Sequence, residues 1–402
     1  MRCVGNPFIG REILTVAASA LLLSACTDSL APEIDPSPSG LRATIIEKGL
    51  LSCFQRGDDG DKVNCEASAV VISGAEVIVA NDEAVRGDGR SSLFALPAGN
   101  VGGAGASPRY LTAPPVLAVE KLEAMTVTPD GAFILAATAF DRMKPDSAEL
   151  DGFNVLLAWP AGDESRMTVV AESSRDGVTS SRDIKDKIAK ALRSDTFPNG
   201  VPHFKAEGLA ALPGGRLLFG IREVGRSYMD SKPVIKIVEV SFEVRENSVF
   251  LGDAFQPAYS FDASDVTALG RKPVGLSSLE YDPFANRLYL LTSRESEKTS
   301  QPTRQESKVC NKEFSGFLWT LALDDLNAGH PPELVRADDG TPFVFAHKPE
   351  GLAVIDAERI LVVHDNDGCL PVCQDASGLE GPLCQKSHQA PFVVLRLSSP
   401  GD

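Results

Sequence analysis

Lys205-Ala-Glu207-Gly-Leu209-Ala-Ala-Leu212-Pro213-Gly-Gly215-Arg216-Leu-Leu-Phe-Gly-Ile221 reads as two apolar strands joined by a Pro-Gly-Gly turn. A turn of that composition between aliphatic runs is a hairpin signal. The opening of the stretch recurs along the chain. Lys121-Leu-Glu123-Ala-Met125 and Lys348-Pro-Glu350-Gly-Leu352 repeat it. Lys272-Pro-Val274-Gly-Leu276 repeats it with Val for Glu, and Cys65-Glu66-Ala67-Ser68 is a looser fifth copy. A turn follows each copy, at Ser73-Gly74, Pro129–Gly131, Pro213–Gly215, Pro283–Asn286 and Asp356–Glu358. Second strands then read as Val77–Ala80, Phe133–Thr138, Arg216–Ile221, Arg287–Thr292 and Arg359–His364. Third strands read as Leu93–Leu96, Asn154–Trp159, Val234–Val244, Gly316–Leu323 and Phe392–Leu397.

The copies lie about 70 residues apart, more than the 40–50 of a compact blade, so the loops are long. Radial repetition of small antiparallel sheets gives a β-propeller, whose strand edges are short and protected. The expected fold is therefore all-β, a propeller of five or six blades. A two-sheet sandwich is the alternative, but it does not account for one motif at the head of every unit. The last repeat ends after three strands, and Arg42–Leu51 is an isolated strand-like run, so the N-terminal strand is expected to complete the last blade. Within one long interval, Ile184, Ile188 and Leu192 recur at helical spacing among charged residues. That predicts one short inserted helix packed by a narrow apolar stripe.

Upstream of the repeats, Arg2 and Arg11 precede an apolar run, Ile13–Leu23, too short for the roughly 20 residues a bilayer requires. It reads as a signal peptide. The run ends in Leu23-Ser-Ala-Cys26, which resembles the lipobox of bacterial lipoproteins. The resemblance implies cleavage before Cys26 and lipid on its thiol. Thr27 in the following position favours the outer over the inner membrane. The organisation expected is residues 1–25 signal peptide, 26–41 lipidated Cys and Pro-containing tether, and 42–399 propeller.

The chain has 402 residues, a formal net charge of −16 and a pI near 4.9. Such an acidic surface repels nucleic acid and anionic headgroups. The expected partners are a small molecule or an envelope component, with membrane contact through the lipid alone and a monomeric chain. Besides Cys3 and Cys26 there are six cysteines: Cys53, Cys65, Cys310, Cys369, Cys373 and Cys384. An even number in an exported chain indicates disulfides, and Cys53–Cys65 is the favoured pair.

The strand-turn-strand Glu207–Arg222, and Lys348-Pro-Glu350-Gly-Leu with Val-Val-His364-Asp-Asn-Asp367, resemble bacterial phytase-like propellers, also labelled esterase-like. The likeness spans about Arg42 to Leu397. It implies hydrolysis of phosphate or carboxylic esters, with calcium.

In a propeller the first strand of each blade lines the central channel. Glu66, Glu123, Glu207 and Glu350 are then expected at one mouth, with Asp365 and Asp367 at the ends of second strands. Asn81, Asp82, Asp141 and Asn366 fall at similar strand ends. Hard carboxylate oxygens suit calcium, which takes 6–8 oxygen ligands. The arrangement is similar to the calcium site of lactonase propellers, where the metal polarises a carbonyl. A second reading stays open. In Lys-x-Glu the two side chains face the same way on a strand, so the repeats also describe a neutralised ion-pair belt. His203 and His347, just before the motif, are candidate general bases. Neither a Gly-x-Ser-x-Gly elbow nor a Gly-rich phosphate loop is present. Two functions follow: metal-assisted hydrolysis of a small phosphate ester, ester or lactone, or a non-catalytic platform binding an envelope protein or glycan.

Overall fold

The computed structural model describes residues 40–54, 63–103, 106–144, 146–266, 269–270, 272–297, 312–365 and 388–399. Cys26, Asp367, Asn366 and the cysteines Cys310, Cys369, Cys373 and Cys384 lie outside these residues. Among the described residues the chain forms five four- or five-stranded antiparallel sheets and one two-stranded hairpin. The architecture is a five-bladed β-propeller.

Strand β1 (Arg42–Ser52) comes first in the chain but belongs to the last sheet. Blade 1 holds β2 (Ala67–Ser73), β3 (Glu76–Asn81), β4 (Leu93–Pro97) and β5 (Arg109–Tyr110), followed by a single helical turn, α1 (Pro114–Leu117). Blade 2 holds β6 (Leu122–Val127), β7 (Phe133–Thr138), β8 (Leu156–Pro160) and β9 (Thr168–Val169). The hairpin β10 (Ser173–Arg175) and β11 (Val178–Ser180) then leads into helix α2 (Arg182–Ala191). Blade 3 holds β12 (His203–Leu212), β13 (Arg216–Ser227), β14 (Asp230–Arg245), β15 (Ser248–Leu251) and β16 (Gln256–Phe261). Blade 4 holds β17 (Gly275–Asp282), β18 (Arg287–Glu297) and β19 (Lys312–Ala322), then α3 (Leu323–Ala328), β20 (Glu333–Leu334) and β21 (Val344–Phe345). Blade 5 holds β22 (Pro349–Val354), β23 (Arg359–His364) and β24 (Gln389–Ser398), and β1 pairs antiparallel with β24, Arg42 opposite Ser398.

Apolar residues alternate across each inner strand and fill the wedges between blades. Leu209 and Ala211 face blade 2, while Ala210 and Leu212 face blade 4. Successive inner strands also bond directly. The Ser68 hydroxyl donates to the Leu122 carbonyl at 2.6 Å, the Ala211 amide to Thr126 at 3.2 Å, and the Ser277 hydroxyl to the Pro349 carbonyl at 2.7 Å. Glycine is required where inner strands come closest: a Cβ at Gly351 would lie 2.8 Å from Ala69 Cα. Helix α2 packs Ile184, Ile188 and Leu192 against Phe204 and Val201, as its apolar spacing predicts.

The strand register corrects the alignment of two repeats. Every inner strand carries a β-bulge four or five residues before its last pairing across the turn. The bulged residues are Ser68, Glu123, Glu207, Ser277 and Glu350. Ser68, not Glu66, is therefore the counterpart of Glu207. Glu66 stands in the lysine position, and Val274 is three residues out of register. The Lys-Pro-x-Gly-Leu likeness at Lys272 is a coincidence of composition, because the distance to the turn sets the register.

Candidate functional site

A bulge aims its extra residue off the regular pleat. At the three glutamate bulges this sends a carboxylate toward the propeller axis, with the lysine two residues earlier beside it. Lys121 lies 2.9 Å from Glu123, and Lys348 lies 3.0 Å from Glu350. Lys205 pairs with Glu207 in its own strand and, at 2.9 Å, with Glu123 of blade 2. Blades 1 and 4, with serine at the bulge, contribute carboxylates from the end of β3 and from β18. Asp82 is 2.8 Å from Lys121, and Glu295 is 3.2 Å from Lys348. Arg222 of β13 lies between them, 2.9 Å from Glu207 and 3.8 Å from Glu295, and donates to the Ser293 hydroxyl at 2.9 Å. Asp365 is 3.6 Å from Lys348. The result is one chain of alternating charges around the axis, and it draws on all five blades.

The two signs sit at different depths. Side chains of Glu123, Glu207 and Glu350 are 3%, 1% and 3% exposed, whereas those of Lys121, Lys205 and Arg222 are 15%, 14% and 10% exposed. Above them opens a cavity of about 500 Å³. Lys121, Lys205, Arg222 and Lys348 meet it from below, and Arg142 and Arg294 stand on its walls with Asp82, Asp141, Glu223 and Glu295. Blade 3 contributes to the rim, because β13 and β14 continue past the bulge and carry Tyr228 and Pro233 onto it. Cations therefore outnumber carboxylates on the cavity lining, six to four, and the three bulge glutamates lie beneath it.

Proton affinities follow from this layering. Burial would raise Glu123, but the ammonium groups of Lys121 and Lys205 prevail and hold it down to about 2. Burial raises Glu350 to about 8 against the opposing charge of Lys348, with Glu207 adding to the rise. Burial and the nearby Glu123 lift Asp82 to about 6, while Lys121 opposes. For Lys205, burial works against the charge, but Glu123 and Glu207 raise it well above its ordinary value.

The sequence-derived ligand set can now be placed. Glu123, Glu207 and Glu350 do converge on one mouth, but each faces its lysine rather than its fellow carboxylates. Glu66 lies on the wall of a neighbouring cavity with Asp82, Glu83 and Glu120. Among the described residues no group of three or more His, Cys, Asp or Glu is arranged to hold a metal. A donor set already taken up by ammonium groups does not fit calcium, so no step is derived through a metal. Neither His203 nor His347 lines the mouth cavity. His203 is buried behind the wall, edge-on to Tyr228 at 6.4 Å, and burial lowers its proton affinity. His347 packs 5.7 Å from the His364 ring. Burial, with His347 beside it, pulls His364 down to about 3. Two belt members escaped the sequence reading. Arg222 and Glu295 sit on second strands that run beyond the hairpin unit, and no repeat marks them.

Cys53 and Cys65 form a disulfide, as their spacing suggests. No helix among the described residues is long and apolar enough to cross a membrane.

No protein-family profile matches the sequence, and neither does any curated protein. Solved structures with a similar trace include the PQQ-bound aldose sugar dehydrogenase of Streptomyces coelicolor, at 10% identity, covering 89% of this chain and 98% of that one, with a TM-score of 0.35. The PQQ domain of pyranose dehydrogenase from Coprinopsis cinerea gives 11%, 88%, 97% and 0.35. The periplasmic gluconolactonase of Pseudomonas aeruginosa gives 11%, 82%, 93% and 0.32. The chemistry of the mouth rests on this chain's own residues.

Proposed function

We propose that the mouth binds a small organic anion, a phosphate ester or a carboxylate, and that the protein hydrolyses an ester or lactone bond of that ligand. One observation carries the reading: four cations from three blades form the floor of a single cavity whose lining holds six cations against four carboxylates, with Glu123, Glu207 and Glu350 buried below it. Phosphate and carboxylate oxygens are the groups such donors recognise best, and a guanidinium adds fork geometry. Asp82 serves as general base. It lines the cavity, and an affinity near pH 6 leaves it ionised at neutral pH yet basic enough to take a proton from water. That water attacks the ester carbon or phosphorus as its proton passes to Asp82, and Lys121, Lys205 and Arg222 hold the negative charge that develops on the ligand oxygens. The C–O or P–O bond to the alcohol then breaks, and Asp82 returns the proton to the departing alkoxide. In this reading the propeller is displayed from the cell envelope by lipid on Cys26. The signal sequence and the Cys53–Cys65 disulfide support an oxidising, exported setting.

The test is calorimetry and turnover on the full-length protein in detergent. The probes are inorganic phosphate, phosphate monoesters, carboxylic esters and lactones. Salt-sensitive anion binding is expected, weakened about tenfold in Arg222→Met. Turnover is expected to be lost in Asp82→Asn with binding retained. Absence of anion binding in the wild type overturns the reading. Binding without turnover of any ester or lactone removes the hydrolase half and leaves a recognition platform.

A further inference from the structure

Asp141 stands on the wall of the mouth and takes no part in the charge chain below it. It is 8% exposed, and its Oδ1 has no hydrogen-bond partner among the described residues. Its Oδ2 lies 3.6 Å from Nε of Arg142, too far for a hydrogen bond. A buried acceptor left unfilled is costly, and native folds rarely keep one without a reason.

The surroundings hold Asp141 in place at further cost. Phe140, immediately before it, has a φ of 53°, a left-handed conformation that bulky residues seldom adopt. Such strain persists where neighbouring structure imposes it, and it concentrates at ligand sites. Here the imposing element is the inserted helix. Lys185 of α2 is buried, donates to the Phe140 carbonyl, and stands 4.6 Å over the Phe204 ring. Its ammonium and the Asp141 carboxylate attract one another, while burial pulls the lysine down to about 8. A helix outside the blade pattern thus spends its one buried cation on the backbone that carries Asp141. On the far side of Asp141 lies the anion cavity, with Tyr228 on its rim, 69% exposed.

We infer that Asp141 accepts a hydroxyl of the bound anion, so that the mouth selects a hydroxyl-bearing phosphate or carboxylate over its deoxy counterpart. The inference rests on the anion-binding reading above and adds a second point of recognition to it. Rotation about χ2, a soft torsion in aspartate, brings either carboxylate oxygen to the cavity side. A ligand hydroxyl then fills the vacant acceptor. A site built around such a bond rejects a ligand that lacks the hydroxyl, because the buried oxygen is left unfilled again. Lys185 is a positioning residue in this scheme, since it acts through the Phe140–Asp141 backbone.

The test compares glycerol 3-phosphate with propyl phosphate, which has the same charged group and no hydroxyl. Titrations use full-length wild type, Asp141→Ala and Asp141→Asn, with inorganic phosphate as a third probe. The readout is the ratio of the two ester affinities, in which any change of local charge cancels. The wild type is expected to prefer glycerol 3-phosphate by about tenfold. Asp141→Ala is expected to bring the ratio to about one, and Lys185→Met to reduce it in the same direction. Asp141→Leu, which keeps the bulk and has no acceptor, serves if the alanine variant does not fold, while Asp141→Asn keeps one acceptor oxygen and is expected to retain part of the preference. A wild-type ratio near one, or a preference that survives Asp141→Ala, overturns the inference while anion binding stands. Failure of all three probes to bind the wild type overturns both.

Discussion

Lys205 of blade 3 lies 2.9 Å from Glu123 of blade 2 while also pairing with Glu207 of its own strand. One ammonium thus neutralises two carboxylates that are each almost fully buried. Removing one partner of a buried pair leaves the other charged and uncompensated, at a cost of about 3–5 kcal/mol. Lys205→Met is expected to lower the denaturation free energy by that amount. Adding Glu123→Gln to the same chain should restore a good part of it. Urea titrations of the two variants against wild type measure the coupling directly.

Glu350 sets a pH dependence of the opposite sense to the usual carboxylate. Its native proton affinity, raised by burial to about 8, exceeds the ordinary 4.5 of the unfolded chain. Between those values the folded state keeps a proton that the unfolded state releases. Stability from this group is therefore complete below about pH 4.5 and falls as pH rises toward 8. Glu350→Gln mimics the protonated form. It is expected to match wild type at pH 5 and to melt higher than wild type at pH 8; equal differences at both pH values would contradict the assignment.

Calcium should have little to grip. Because Glu123, Glu207 and Glu350 are engaged by lysines, a cation would first have to displace an ammonium from each. The expected outcome is a melting midpoint within about a degree in EDTA and in millimolar calcium. A site filled at 100 times its Kd would add about 2.7 kcal/mol and shift the midpoint visibly.

The Cys53–Cys65 bridge closes a short loop, with a sequence separation of 12. In the chain-entropy account a loop of that size is worth about 3 kcal/mol. Both sulfurs are buried in the cluster that joins blades 1 and 5, with Leu51, Phe54 and Phe392. Cys53→Ser with Cys65→Ser should cost about 2–4 kcal/mol, and wild type melted in strong reductant should shift in the same direction. A bridge of no structural weight would leave both melts unchanged.

Most of the ring was legible because hairpins announce themselves locally. Phe133–Thr138 and Arg359–His364 were bounded to the residue by their turns and their aliphatic runs. The N-terminal strand could be assigned to the last blade because the final repeat was one strand short. The register of two repeats was not legible. Glu66 and Val274 were matched by residue identity, whereas pairing register is counted from the turn and leads to Ser68 and Ser277. The lysine partners were readable from Lys-x-Glu, but which carboxylate each one meets depends on blade-to-blade packing. Arg222 and Glu295 became site residues only because β13 and β18 outrun their hairpins, and strand length is weakly written in sequence. Lys185 looked like one of several solvated charges on α2, and its burial follows from where the helix docks.

The pairing of Arg42–Ser52 with Gln389–Ser398 also has a bearing on how such a chain folds as it is made. The first of the described strands is the last to acquire its neighbour, with all the other blades between them. Until the final strand has been made, β1 and β23 each present an open row of amides and carbonyls to whatever lies nearby. Loop closure over that span is slow compared with hairpin formation. A nascent copy is therefore vulnerable for the full duration of its synthesis. Its yield should depend on factors that shield strand edges rather than on the stability of the finished ring.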